Sequence, residues 1–96
     1  MSQVRISAEA EQDIDRITAY TASTWGLSQT AKYLTRLEET FDLLAKNPLL
    51  GRPCESIHTG LRRFEMRRHV IFFLAEADGV FVVRVLHQQM LPTNYF

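Results

Sequence analysis

Two apolar segments near the C-terminal end, joined by a turn signal, constrain the fold most strongly. Residues 70–74 are uniformly apolar, and residues 80–86 are apolar except for Arg84. The pair Asp78-Gly79 between them favours a type I′ turn in a β-hairpin. Because neither segment alternates polar and apolar residues, both strands are predicted to be buried on both faces, with residues 70–74 at the centre of a sheet. A polar group in these strands, such as Arg84 or the strand-end His87, therefore needs a partner or a function.

The preceding residues predict two helices that follow a short extended segment at residues 3–6. Ser7 can cap the first helix, and Gly26 can end it in a left-handed conformation. Ser28 is predicted to cap the second helix, which should stop at Asn47-Pro48. Because so short a connection separates the two helices, they should form an antiparallel hairpin.

The remaining segments complete an α+β fold. Residues 48–60 contain two prolines and two glycines in their interior and at their ends, and are predicted to form a loop. Residues 61–66 alternate in part between charged and apolar side chains, which predicts a half-exposed strand. The order is then β-α-α-β-β-β, with the helical hairpin on one face of a small antiparallel sheet and the other face partly open. We expect one domain over residues 1–96, ending in an irregular tail at residues 88–96.

Composition and charge narrow the class of protein. The single cysteine, Cys54, excludes an internal disulfide framework and suits a reducing cytosol. No apolar run approaches the roughly 18 residues of a membrane span, and the first residues show no signal-peptide pattern, so a cytoplasmic protein is expected. Residues 8–46 carry seven acidic and four basic side chains, whereas residues 61–96 carry five arginines against three acidic side chains. This basic excess is too small to indicate nucleic-acid binding by itself.

Metal, cofactor and hydrolase sites are not favoured by the sequence. Cys54, His58, His69 and His87 do not follow a zinc-ligand register, and the favoured interpretation is a buried thiol with three separate histidines. Ser56 lacks a nucleophile elbow, and the scattered glycines form no phosphate-binding loop. The helical carboxylates are predicted to lie on a solvated face. We therefore predict no metal and no cofactor.

Arg84 and His87 are the polar groups that most need an explanation. Strand alternation places Arg84 on the side of Val82 and Leu86, and His87 on the opposite side with Val85. Arg84 can serve either in a structural ion pair, with Glu65 as the expected partner, or in a functional site. His87 can equally be a strand-end residue bonded to backbone, and His69 is expected to be structural.

Each predicted helix has an apolar stripe at helical spacing. The residues are Ala10, Ile14, Ile17 and Thr21 in the first helix, and Ala31, Leu34, Leu37, Phe41, Leu44 and Ala45 in the second. Three apolar or aromatic side chains lie outside these stripes. They are Tyr20, Tyr33 and Leu43. A partner helix or strand could cover them, or they could pack at the fringe of the core.

A set of ordered motifs gives the chain a family resemblance. They are Trp25-Gly26, Asn47-Pro48, Gly51-Arg52, Gly60-Leu61-Arg62-Arg63, His69-Val70-Ile71-Phe72 and Arg84-Val85-Leu86-His87-Gln88-Gln89-Met90. Together they resemble the ParE branch of the RelE/ParE toxins of bacterial type II toxin–antitoxin systems. Leu91 departs from the family pattern, which often has an acidic residue after the methionine.

The resemblance implies a toxin that inhibits DNA gyrase by protein binding and is neutralised by a ParD-like antitoxin. That antitoxin would have a ribbon-helix-helix DNA-binding half and would make the DNA contacts of the complex, so no specific DNA binding by this chain is expected. We expect the antitoxin to cover Tyr20, Tyr33 and Leu43, or to extend the sheet edge. The expected target-facing residues are basic or lie in the tail: Arg62, Arg63, Arg67, Arg68, His87, Tyr95 and Phe96.

The sister RelE branch suggests a different function, metal-independent cleavage of messenger RNA on the ribosome. The residues available for it would be His69, Arg84, His87 and Tyr95. An arginine of that branch corresponds roughly to His69 here and another falls near Gln88, so most cations that would stabilise a phosphorane are missing. We therefore favour a non-enzymatic toxin. A third interpretation is a degenerate toxin that only binds its antitoxin.

Overall fold

A five-stranded sheet carries two antiparallel helices on one face in the computed structural model, which describes residues 2–96. The chain begins with strand β1 (Gln3–Ile6) and continues through helices α1 (Ala8–Trp25) and α2 (Leu27–Lys46). The remaining strands are β2 (Arg52–Pro53), β3 (Leu61–Met66), β4 (His69–Glu76) and β5 (Gly79–His87). Two 3₁₀ turns, Pro48–Leu50 and Pro92–Asn94, lie outside the strands. The predicted α+β class is confirmed.

The strand order in the sheet is β1-β5-β4-β3-β2, which places β4 at the centre as predicted. All neighbouring pairs are antiparallel except β1 and β5, which run parallel. The prediction that residues 48–60 form only a loop is wrong at Arg52 and Pro53, which pair with Arg63 and Arg62. Two residues are too few for a hydrophobic periodicity to appear in the sequence.

The β4–β5 hairpin is present, but its turn differs from the prediction. Glu76 pairs with Gly79, so Ala77 and Asp78 form the two-residue connection. A type I′ turn needs positive φ at both central residues, and Arg67 is the only residue other than glycine with positive φ within residues 2–96. The small residue at 79 instead allows close contact with β1, because a Cβ atom there would lie 1.8 Å from the Gln3 carbonyl oxygen.

The helical hairpin reverses at a single residue. Ser7 caps α1 as predicted, since its Oγ accepts a hydrogen bond of 2.9 Å from the Ala10 N–H. Gly26, with φ of +88°, ends α1 and is also the N-cap of α2. The prediction that Ser28 caps α2 is therefore wrong, because the positive φ of Gly26 turns the chain directly and places Ser28 in the first turn.

Two apolar clusters pack on the two faces of the sheet. On the helix side, Leu37, Phe41 and Leu44 of α2 pack with Phe73 and Val85 of the sheet, all of them buried. On the opposite side, which we call the second face, the buried residues are Cys54, Leu61, Val70, Phe72 and Leu86. Residues 88–96, which we call the C-terminal segment, return over this second face and contribute Met90 and Tyr95 to the second cluster.

A bulge in β5 changes the predicted alternation of its side chains. Phe72 pairs with Arg84 but Phe73 pairs with Val82, so Val83 is an extra residue on β5. Val82 therefore packs in the helix-side cluster and Leu86 in the second cluster. The prediction that Val82 and Leu86 lie on the same face of the sheet is wrong. Arg84 and His87 still lie on opposite faces, as predicted.

Candidate functional site

A cleft of about 640 Å³ lies between the helical hairpin and one end of the sheet. Its inner surface is made of buried or half-buried side chains from both helices and from β4 and β5: Ile17, Tyr33, His69, Val85 and His87. Tyr20 and Trp25 also line it and are 66% and 62% exposed. The lining also includes five exposed cationic residues, which are Arg16, Lys32, Arg36, Arg67 and Arg68. The cleft thus combines aromatic surface with positive charge.

Two histidines and a tyrosine meet at the inner end of the cleft. His69 and His87 are direct partners across β4 and β5, and their rings contact edge to face with centroids 5.4 Å apart. The Tyr33 hydroxyl is hydrogen-bonded to Nδ1 of His69. The His87 ring is held by a backbone hydrogen bond, because its Nδ1 accepts from the Gln89 N–H at 3.2 Å. The interpretation of His87 as a strand-end residue bonded to backbone is therefore confirmed.

Burial determines the protonation of His69 and Tyr33. It lowers the pKa of His69 from 6.5 to about 4, with a smaller contribution from the neighbouring His87. It raises the pKa of Tyr33 to about 12, partly opposed by the positive charge of Arg67. At neutral pH His69 is therefore neutral and Tyr33 is protonated, so the tyrosine hydroxyl donates to Nδ1 and the imidazole proton resides on Nε2.

Arg84 forms a buried ion pair, and its partner is Asp13 on α1 rather than the predicted Glu65. Its Nε and Nη2 atoms each donate to Asp13 at 2.8 Å, and the carboxylate also accepts 3.0 Å and 2.5 Å bonds from the Val85 N–H and from Arg16. The hydrogen bond to Asp13 raises the pKa of Arg84. Glu65 instead contacts Arg52 and Arg63.

The prediction of solvated helical carboxylates is therefore wrong for Asp13, which is 3% exposed. A signal was available in the sequence, because residue 13 lies three positions after Ala10 and four before Ile17 on the apolar stripe of α1. An acidic residue on a buried stripe requires a cationic partner, and Arg84 is one.

The predicted target-facing residues divide between two surfaces. Arg67, Arg68 and His87 line the cleft. Arg62 donates to the Gly51 carbonyl at 2.7 Å, and Arg63 stacks over Phe72 of the second face at 5.4 Å. Tyr95 and Phe96 also pack on the second face, where the rings of Phe96 and Phe72 are 5.1 Å apart.

The residues considered for RNA cleavage are not brought together at one point. His69 and His87 line the cleft, whereas Arg84 contacts Tyr95 on the other side of the sheet, with its Cζ atom 5.4 Å from the ring centroid. The Arg84 guanidinium is already bonded to Asp13 and to the Tyr95 carbonyl.

The predicted antitoxin-facing residues are placed partly in the cleft. Tyr20 and Tyr33 line it beside Arg67, Arg68 and His87, so residues predicted for two different partners share this one cleft. Leu43 is 48% exposed and lies on α2 outside the lining of the cleft.

Several cleft residues were missed by the sequence analysis. Lys32, Arg36 and Gln29 lie with Tyr33 at helical spacing along α2, and Arg16 lies with Ile17 and Tyr20 along α1. The 3.6-residue period that identified the apolar stripes would have found these mixed stripes if it had been applied to polar residues.

The cysteine and histidines that were considered as zinc ligands lie in different parts of the structure. Cys54 lies in the second-face cluster, whereas His69 and His87 line the cleft. Within residues 2–96, no three histidine, cysteine or acidic side chains lie close enough together to hold a metal ion. In the same part of the chain, no helix has the length and apolar character needed to cross a membrane.

Comparisons with known proteins agree with this architecture. The family model described as "ParE toxin of type II toxin-antitoxin system, parDE" matches residues 4–92. This chain belongs to the ParE toxin family. It is 37% identical to Toxin ParE1 of Caulobacter vibrioides over 90 residues, which cover 94% of this chain and 93% of the relative. It is 36% identical to Toxin ParE1 of Mycobacterium tuberculosis over 93% of this chain and 92% of that protein.

A more distant relative and a solved structure extend the comparison. Toxin ParE of Escherichia coli is 31% identical over 94% of this chain and 88% of its own length. The structure described as "Chromosomal ParDE TA system from P. aeruginosa" superimposes with a TM-score of 0.75, at 17% identity, over 91% of this chain and 96% of the other. This last match supports the fold of the ParE toxin described above.

Proposed function

We propose that this ParE toxin inhibits DNA gyrase by binding to it, breaks no covalent bond itself, and is neutralised in the cytoplasm by a ParD-like ribbon-helix-helix antitoxin. One observation carries the proposal: the cleft combines exposed aromatic rings with unpaired cations. Lys32, Arg36, Arg67 and Arg68 form no ion pair within residues 2–96. Such a surface suits an acidic, partly apolar protein partner. Any specific DNA contacts of the complex would then belong to the antitoxin.

The chemistry of the cleft supports binding rather than catalysis. A general acid works best when its pKa lies near the operating pH, and that of His69 is about 4. RNA cleavage also needs cationic donors held in place at the reacting phosphate. Arg84 is engaged with Asp13, and the cleft cations Arg67 and Arg68 are exposed and held by no ion pair within residues 2–96. Each lost charge-assisted donor costs about 2 kcal/mol of transition-state stabilisation.

The shared use of the cleft suggests how an antitoxin would neutralise the toxin. An antitoxin segment that covered Tyr20 and Tyr33 would also cover Arg67, Arg68 and His87, because all five line the same cleft. Antitoxin and gyrase would then compete for overlapping residues. Neutralisation would require no change in the fold of the toxin.

A pair of charge-matched variants tests the proposal. Purified toxin should inhibit gyrase supercoiling, and Arg68→Glu should weaken that inhibition about tenfold or more, since the substitution reverses a charge in the cleft. Lys46→Glu makes the same change in charge in the last turn of α2, outside the cleft, and should weaken inhibition less than about threefold. Equal effects of the two variants would show that net charge, and not the cleft, matters.

The RNase alternative has a separate test. Toeprinting on translating ribosomes should show no codon-specific cleavage by the purified toxin. Cleavage that disappeared in a His87→Ala variant would overturn the proposal. If the toxin neither inhibited gyrase nor cut RNA, and its overproduction without antitoxin were harmless, the degenerate-toxin interpretation would replace it.

A further inference from the structure

The buried ion pair of Arg84 borders the proposed binding cleft, because Asp13 lines the cleft and Arg84 does not. The Arg84 side chain is only 14% exposed, and the Asp13 side chain that holds it is 2% exposed. Burying two charges at this depth costs free energy unless their geometry and hydrogen bonds are nearly complete. The position of the pair suggests a specific role.

Arg84, on β5 beyond the residues that pair with β1, links α1 to the C-terminal segment. Two of its nitrogens face Asp13, and the third, Nη1, donates to the Tyr95 carbonyl at 3.1 Å. The guanidinium also lies against the Tyr95 ring. Because a guanidinium is planar and its donors are fixed in direction, the carboxylate that binds one edge determines where the remaining N–H points.

The last residues of the segment have few other attachments. The N–H groups of Asn94 and Tyr95 bond locally, to the carbonyls of Leu91 and Pro92. Within residues 2–96, the bond from Arg84 is the only hydrogen bond between residues 92–96 and the sheet. The remaining contacts are apolar: Tyr95 in the second cluster and Phe96 against Phe72.

We infer that Arg84, oriented by Asp13, is a positioning residue that holds residues 92–96 on the second face. It thereby fixes Tyr95 and Phe96, together with Arg63 on the neighbouring Phe72 ring, as one surface of guanidinium and aromatic groups. This inference rests on the proposed function, gyrase inhibition by binding, and on the expectation from the sequence that Tyr95 and Phe96 face the target. The placement of the segment itself does not depend on that function.

The test measures backbone order in the segment by ¹⁵N relaxation, which reports local motion rather than global stability. Arg84→Lys keeps the charge, but a single ammonium group cannot donate at once to both carboxylate oxygens of Asp13 and to the Tyr95 carbonyl. The order parameters of Asn94, Tyr95 and Phe96 should fall from about 0.85 to below about 0.6, while those of β4 stay unchanged. Asp13→Asn, which keeps the shape of the side chain, should produce the same local loss.

A matched control is provided by Arg16. It also bonds to Asp13 but, within residues 2–96, forms no hydrogen bond to the C-terminal segment. Arg16→Gln should therefore leave the order of residues 94–96 at the wild-type level. If Arg84→Lys and Asp13→Asn both keep the segment as ordered as in the wild type, the inference is overturned. A loss of order equal in β4 and in the segment would also overturn it, because the pair would then only support the fold.

A gyrase assay separates this inference from the proposed function. Arg84→Lys and a chain that ends at Leu91 should both lose about tenfold or more in gyrase inhibition, with antitoxin affinity within about threefold of wild type. If the segment loses its order in Arg84→Lys but both variants inhibit fully, the segment is not part of the target surface, and the functional half of the inference fails. If even the wild type leaves gyrase unaffected, the proposed function fails, and the order parameters alone decide the positioning role.

Discussion

His69 should make the stability of this toxin depend on pH between about 4 and 6.5. The folded protein keeps His69 neutral down to about pH 4, whereas the unfolded chain protonates it near its ordinary pKa of 6.5. Between these values the unfolded state binds more protons, so the free energy of unfolding falls as the pH is lowered from 6.5 to 4. The full shift corresponds to about 3 kcal/mol, and solvent screening of a half-buried ring reduces it to about 1–2 kcal/mol.

Urea unfolding of the wild type and of His69→Asn measures this contribution. The asparagine does not titrate, so the difference in unfolding free energy between the two proteins isolates His69 from the carboxylates. The unfolding free energy of the wild type minus that of His69→Asn should be about 1–2 kcal/mol lower at pH 4.5 than at pH 7.5, because lowering the pH through this range destabilises only the protein that carries the imidazole. Tyr33→Phe should weaken the dependence, because it removes the hydroxyl that occupies Nδ1 of the neutral imidazole.

The control for this experiment is His58→Asn. His58 is exposed in the loop before β3, so the same substitution there measures the effect of losing an imidazole outside the half-buried site of His69. A wild-type-minus-His69→Asn difference that stayed constant over the range would refute the reasoning. It would mean that the imidazole is solvated enough to titrate equally in the folded and unfolded states.

Three further predictions concern stability and reactivity. Gly79→Ala should destabilise the protein by about 3 kcal/mol or release β1, as measured by urea unfolding, because the new Cβ would collide with the Gln3 backbone; unchanged stability would contradict the β1–β5 register. In the same assay, Leu44→Ala should destabilise the protein by about 2–5 kcal/mol because Leu44 is buried, whereas Leu43→Ala should cost less than about 1 kcal/mol because Leu43 is exposed. Equal losses would contradict the burial of Leu44. Burial raises the pKa of the Cys54 thiol, so the folded protein should react with a disulfide reagent near pH 7.5 at least about tenfold more slowly than the urea-unfolded chain; equal rates would mean that the thiol is exposed.

Much of the fold could be predicted because its elements carry strong local patterns. The apolar run in β4, the helical stripes and the Ser7 cap each identified an element whose position the structure confirms. The local errors have physical causes that no single segment reveals. The β5 bulge depends on how β4 pairs with it, and β2 forms only because β3 offers an edge.

The candidate site was less predictable, because its parts come from segments far apart in the chain. Arg67 and Arg68 were identified by charge, and Tyr20 and Tyr33 by their position off the apolar stripes, but nothing local indicated that they line one cleft. The pairing of Asp13 with Arg84 joins positions 71 residues apart. Such a contact depends on the docking of α1 on β5, which propensity and periodicity do not determine.

The central claim is that this toxin acts by reversible binding, and a reversal experiment tests it most directly. Gyrase and relaxed plasmid are mixed with purified toxin until supercoiling stops, and an excess of the cognate antitoxin is then added. We predict that supercoiling resumes with the original enzyme and plasmid, because the antitoxin removes the toxin and no bond has been changed. Gyrase that was never inhibited by folded toxin, or transcripts cut on translating ribosomes by the same preparation, would contradict the claim.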